Sequence, residues 1–258
     1  MALSSKSLIL YGFEITSLNR NLDFKASAMG PELTAVLNLG FYSATSLLLE
    51  IKRAMEDADP SNTYTGSIDR TLAGGTQNRI SIETNGAYLD LLFATGTNVN
   101  TSVFSLIGFN GQDYTGATEY TGAQTTGISL IPDYLGYNYL DDKSQRKVFG
   151  SVNVAASGLK EAITFNIQKF IDVEYRFEPS ARLSEWANFF NWAIQQKPFD
   201  FTPEILSPDT VYEVTLEKTS YDGKGMGYRM AEMLPNFPNF YQTGPLNLRI
   251  IEESQMFL

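Results

Sequence analysis

The chain has 258 residues, 43% of them hydrophobic, and contains neither cysteine nor histidine. Its 19 basic and 29 acidic side chains give a formal charge of -10, divided as 7 basic against 13 acidic over residues 1–135 and 12 against 16 over residues 136–258. This composition can fill one large or two modest cores. It excludes disulfides, Cys/His zinc sites, thiol nucleophiles and histidine triads, and offers no basic domain for a nucleic-acid backbone.

Leu8, Leu10 and Gly12-Phe13 predict a first strand. The run Leu8 to Phe13 is too short for a signal-peptide core, and no apolar run approaches the ~20 residues of a membrane span. The expectation is a soluble protein made without secretion machinery. Asn21-Leu-Asp-Phe24 and Glu32-Leu-Thr-Ala-Val-Leu37 predict two further strands, with Met29-Gly-Pro31 as the turn signal. The period then changes. Ser43 fits a helix N-cap, and Leu47, Ile51, Ala54, Met55 and Ala58 recur at helical spacing, with Glu50, Arg53, Glu56 and Asp57 opposite. Pro60 ends this helix near Asp59.

Arg79-Ile-Ser-Ile-Glu83 alternates as a strand, and Tyr88 to Phe93 is an apolar run. Ser102 to Phe109 has room for one helical turn. The Thr/Gly-rich stretch Asn110 to Gly127 predicts a loop or edge hairpin. A composition shift over residues 131–147 marks a boundary, which divides the chain into 1–135 and 136–258, each with one helix.

The strongest β pattern follows. From Ile163 to Phe177 every odd position except Lys169 is apolar, and among the even positions only Phe170 is. One face is expected to be buried and the other wet. At ~3.3 Å per residue the run would reach about 50 Å; it is either two segments across a bend or one long strand projecting into a neighbour. Ser180 predicts the cap of a second helix, Ala181 to Gln196, in which Leu183, Trp186, Ala187, Phe190, Ala193 and Ile194 share a face. Val211 to Lys218 and Leu246 to Ile250 predict late strands. The fold class expected is α+β, mainly antiparallel β, with one amphipathic helix in each half.

Chemical sites are weak. Asp57-Ala-Asp59-Pro-Ser61 begins like a calcium loop, but Asn62 and Ile68 stand where glycine and glutamate are required. Gly223-Lys-Gly-Met-Gly227 lacks the Ser or Thr after its lysine that a phosphate loop needs, and suits a hairpin tip. The pairs Asp141/Asp142 and Glu252/Glu253 are ordinary solvated neighbours unless a cleft brings carboxylates together. Phe189 and Trp192 fall off the apolar face of the second helix, so either the helix is sandwiched within its own chain or they meet another subunit. The cluster Phe237 to Tyr241 and the terminal Met256, Phe257 and Leu258 raise the same choice. Phe189, Trp192, Met256, Phe257 and Leu258 are therefore the candidate subunit contacts.

The ordered segments Asn21–Phe24, Glu32–Leu37, the helix opened by Ser43, Leu91-Leu-Phe-Ala-Thr-Gly-Thr-Asn98, Ser105-Leu-Ile-Gly-Phe109 and Thr115-Gly-Ala-Thr118 resemble a module common in structural proteins of tailed bacteriophages and some large viruses. The second half is similar to the C-terminal part of phage distal-tail and tail-tip proteins, through Ile163–Phe177, Trp186-Ala-Asn-Phe-Phe-Asn-Trp192 and Pro198-Phe-Asp-Phe-Thr-Pro203. The resemblance implies a virion protein of the tail tip or baseplate that forms a symmetric ring, often sixfold, between tail tube and tip. Its implied partners are copies of itself and neighbouring tail proteins, with no nucleic acid, membrane, cofactor, metal or catalytic residue. The alternatives are a capsid-associated or fibre-anchoring virion protein, and a receptor- or glycan-binding module using Tyr114 and Tyr120.

Overall fold

The computed structural model describes residues 7–70, 78–132, 145–154, 160–203, 211–217, 231–232 and 239–251. In chain order the elements are β1 Leu8–Tyr11, β2 Phe13–Ile15, β3 Asn21–Lys25, β4 Leu33–Val36, β5 Gly40–Tyr42, helix α1 Ala44–Ala58, β6 Tyr64–Ile68, β7 Arg79–Thr84, β8 Leu89–Leu91, β9 Tyr114–Ala117, β10 Glu119–Gln124 and β11 Ile128–Leu130. After these come β12 Gln145–Val154, β13 Lys160–Tyr175, β14 Glu178–Pro179, helix α2 Leu183–Ala193, β15 Phe199–Thr202, β16 Tyr212–Leu216, β17 Ala231–Glu232, β18 Phe240–Gln242 and β19 Gly244–Ile250. The paired strands run antiparallel. With two α-helices, the fold is α+β and mainly antiparallel β.

The chain divides into two compact units. One is Leu8–Ile131 with Pro198–Val211; the other is Met1–Ser7, Pro132–Lys197 and Tyr212–Leu258. The division thus falls at 131/132 where the sequence pointed to 135/136, and the first unit also takes in a segment from late in the chain.

In the first unit the strands form β4-β3-β8-β9, β10-β7-β6, the pair β2-β5, and β11-β1-β15. β1 and β15 are buried at every position; β1 is a continuous apolar run, whereas β15 alternates Phe199 and Phe201 with the buried polar Asp200 and Thr202. Gly12, with φ of 100°, joins β1 to β2 in a backbone region that favours glycine. α1 starts on a capping box: the Ser43 hydroxyl accepts from the Ser46 N–H at 3.0 Å, and Ser46 Oγ accepts from the Ser43 N–H at 2.9 Å. Its stripe Leu47, Leu48, Ile51, Ala54 and Met55 is buried against Phe24, Tyr64, Ile80 and Ile82 in one core. Each large side chain there contributes about 1.5–3 kcal/mol by leaving water.

Two expectations fail in this unit. Glu50 is buried rather than on the wet side: its carboxylate takes the Asn38 N–H at 2.6 Å and Arg53 Nε at 2.8 Å. Burial pushes the Glu50 carboxyl up, but hydrogen bonds from Arg53 and Asn38 outweigh it and hold the carboxyl below its usual range. The stretch Asn110 to Gly127 is not a hairpin either. β9 joins β8 while β10 joins β7, so the segment serves two sheets.

In the second unit β16-β19-β13-β12 lie side by side and β14-β18-β17 form a small sheet. β13 is one strand of 16 residues. Ile171, Val173 and Tyr175 are buried as the alternation requires, and Phe170 is buried too, so both faces are covered there. Phe177, expected on the buried face, is 42% exposed. The strand ends at Tyr175 and Phe177 takes a φ of 60°, which breaks the two-residue period.

α2 is preceded by a 3-10 turn, Ser180–Arg182, so the helix proper begins at Leu183, later than the expected Ala181. Its buried residues are Trp186, Phe189, Phe190 and Ala193, an i, i+3, i+4, i+7 stripe. Ala187 is exposed. The face is rotated from the expected one because the helix buries the large Phe189 in preference to the small Ala187.

Candidate functional site

The sequence motifs of the first unit build a polar clamp. Asp23 in β3, almost fully buried, accepts from Thr34 Oγ1 at 2.7 Å, Asn98 N–H at 2.6 Å and Asn98 Nδ2 at 3.0 Å. Asp113 accepts from the Ala94 and Thr95 N–H groups at 2.8 and 3.1 Å and from Thr95 Oγ1 at 2.6 Å. Burial raises the Asp113 carboxyl, and these three hydrogen bonds more than offset that and lower it. Glu32 accepts from the Thr97 N–H at 2.6 Å. Gly96 sits where a Cβ would lie 2.5 Å from the Leu92 carbonyl oxygen and 2.6 Å from Asp23 Oδ2. Residues 92–98, following β8, are thus a loop fastened by three carboxylates, and the spacing is explained by architecture.

The aromatic residues nearby pack in the same way. Tyr114 lies against Phe93, Phe109 and Tyr120 with ring centroids 6.1, 5.1 and 5.7 Å apart. The Tyr120 hydroxyl donates to the Leu89 carbonyl at 3.0 Å and accepts from the Ala117 N–H. Both rings are half-buried and pack against the margin of the core.

The start of the calcium-like loop is a helix end. Asp59 caps α1, and its carboxylate takes the Ser61 N–H and hydroxyl, Asn62 Nδ2 and the Tyr64 hydroxyl. Burial pushes Asp59 up, but these bonds bring its carboxyl down to about 2. Its lone pairs face protein donors. Among the described residues no group of three or more acidic side chains is placed to hold a metal ion. The Gly223–Gly227 loop, both acidic pairs, and Met256, Phe257 and Leu258 lie outside the described residues.

A buried ion pair sits at the start of α1. Asp200 in β15 accepts from Arg70 Nη2 at 2.6 Å, Thr45 N–H at 3.2 Å and Thr45 Oγ1 at 3.0 Å. The carboxylate is almost fully buried and stands at the positive end of α1. Nothing in the local sequence marks this pair, because its members are 130 residues apart. Beside it a groove of about 450 Å³ runs between α1 and β6, lined by Leu48, Leu49, Lys52, Gly66, Ile68 and Arg70 among others.

The two candidate contacts on α2 separate. Phe189 is fully buried, 5.9 Å from Trp186 and 5.6 Å from Phe190 between ring centroids. It is a core residue of its own unit, which corrects its assignment as a subunit contact. Trp186 in turn donates from Nε1 to the buried Glu178 at 3.1 Å. Trp192 is half-buried, with Lys197 Nζ 4.7 Å from its ring centroid.

A feature of different scale is the hairpin of β12 and β13. The two strands pair from Gln145↔Phe170 to Val154↔Lys160. β19, the other neighbour of β13, pairs only from Phe170 to Tyr175. Among the described residues, residues 160–169 of β13 pair with β12 alone and so extend past β19 as a two-stranded arm, about 33 Å at ~3.3 Å per residue. Leu18, Val36, Leu39 and Phe41 are exposed large apolar side chains of the first unit.

No protein-family model matches the chain, and no curated protein matches it. Among the described residues, no helix is long and apolar enough to cross a membrane.

Proposed function

We propose that this protein is a structural subunit of a tailed-bacteriophage virion, at the tail tip or baseplate, where copies of it form a ring between tail tube and tip. The observation that carries this reading is the β12–β13 arm. A two-stranded ribbon is marginal alone in water and leaves unpaired backbone groups on its edges. It gains stability when a neighbouring subunit covers it. The heterologous contact of an arm on a different patch of the next copy closes into a ring when the rotation permits. The role is geometric and needs no catalytic residue or cofactor, in keeping with carboxylates such as Asp23, Asp113 and Asp59 that are engaged in loop and cap geometry. The resemblance of the motif order to viral structural proteins supports a place in the virion.

The test is negative-stain imaging and light scattering of the purified chain, beside a variant in which residues 148–167 are replaced by a two-residue Asn-Gly turn, joining the paired Lys147 and Gln168. Rings in the parent and monomers in a folded variant are expected. Rings that persist without the arm, or a parent that forms no closed assembly alone or on purified tail tubes, would refute the reading.

A further inference from the structure

We propose that the open edge of β6 binds an extended polypeptide segment by strand addition, with an acidic side chain of that segment placed over Lys52. The argument begins with register. β6 and β7 pair as Tyr64↔Thr84, Thr65↔Glu83, Gly66↔Ile82, Ser67↔Ser81 and Ile68↔Ile80. The Asn85 N–H bonds the Thr63 carbonyl, and the Asp69 N–H bonds the Arg79 carbonyl. Both lie on the same register, so odd-numbered residues from Thr63 to Asp69 direct their backbone groups toward β7. In an antiparallel ladder the alternate residues direct theirs away. Gly66 and Ile68 thus present N–H and C=O groups to the outer side of β6, which ends its sheet among the described residues. Tyr64, of the same parity, confirms the direction: its N–H reaches Glu56 Oε1 on α1 at 3.3 Å.

The groove beside this edge has the shape and chemistry for a strand. Gly66 lets α1 come close, since a Cβ there would lie 2.8 Å from Leu48 Cδ2. That approach leaves Leu49, 47% exposed, as an apolar shelf along the edge. One turn further, Lys52 is 43% exposed and is held only at 3.8 Å by Glu56. The lining residues include Lys52 and Arg70 and no acidic side chain. Arg70 is already neutralised by Asp200, so Lys52 sets the preference. An added strand offers backbone partners to Gly66 and Ile68, with alternate side chains for Leu49 and Lys52. A helix or a folded surface could not meet the edge groups in that way. The inference concerns the first unit and stands or falls separately from the arm.

The test uses the full chain and a synthetic peptide, acetyl-Thr-Val-Thr-Glu-Thr-Val-Thr-amide, whose valines and glutamate share a face. Amide exchange is followed residue by residue in the NMR spectrum. The peptide is expected to slow exchange at Gly66 and Ile68 while leaving Thr65 and Ser67 unchanged, because those are already paired with β7. A peptide with Lys in place of Glu should bind at least about threefold more weakly, and the Lys52→Glu variant should reverse that order. The proposal is overturned if neither peptide protects Gly66 and Ile68 at about 1 mM, if an N-methylated peptide protects them equally, or if Lys52→Glu leaves the preference unchanged. Protection that rises with protein concentration alone assigns the edge to a second copy and also overturns it. Loss of rings in the arm variant, with peptide binding intact, separates this proposal from the assembly reading.

Discussion

Replacing Phe189 by alanine separates a core role from a contact role. The ring is fully buried, packed between Trp186 and Phe190 in the stripe that also holds Ala193. Truncating a buried phenylalanine removes its transfer free energy and leaves a cavity, together about 3–5 kcal/mol. For a cooperative unit of somewhat over 100 residues, 1 kcal/mol shifts the Tm by about 3–4 °C, so Phe189→Ala should lower it by roughly 10–20 °C. Trp192→Ala is the internal control. It removes a half-buried ring and a cation–π contact with Lys197, the contact being worth about 0.5–1 kcal/mol. Its Tm should therefore fall much less. The assay is thermal unfolding by circular dichroism with light scattering on the same samples. A Phe189→Ala protein that keeps the parental Tm yet loses assembly would refute the stripe and restore Phe189 as a contact.

Other outcomes follow from the same packing. Gly96→Ala should destabilise by about 2 kcal/mol or more, because its Cβ meets the Leu92 carbonyl and Asp23 at 2.5–2.7 Å; Gly116→Ala, with nothing within 4 Å but a φ of 84°, should cost about 1 kcal/mol from backbone strain alone, and urea titration compares them. Phe170→Ala should cost about 3–5 kcal/mol and Phe177→Ala under about 1 kcal/mol, since the first is fully buried and the second is exposed; equal midpoints would contradict the end of the strand at Tyr175. Asp59 is held down to about 2 in the folded chain, below its unfolded value, so its contribution is present above about pH 4 and is lost as pH falls toward 2. Asp59→Asn should flatten the acid limb of the Tm–pH curve over that window, and an unchanged limb would show that other carboxylates govern it.

Much of the local structure was legible in the chain itself. The α1 cap at Ser43, its apolar stripe and its stop before Pro60 all follow from contacts within a few residues. So does the alternation that buries Ile171, Val173 and Tyr175. The sequence also left open whether the long β run is two segments across a bend or one strand; it is one strand, Lys160–Tyr175. What it misjudged depended on distant partners. Glu50 looks solvent-facing until the Asn38 N–H and Arg53 are brought to it. Phe189 looks unpartnered because helix periodicity gives the spacing of a stripe but not its rotation, which the bulk of the surrounding core decides. The Arg70–Asp200 pair, the split of β9 and β10 between two sheets and the open edge of β6 have no local signature. Each is fixed by segments far apart in the chain meeting in register, and only tertiary packing brings those segments together.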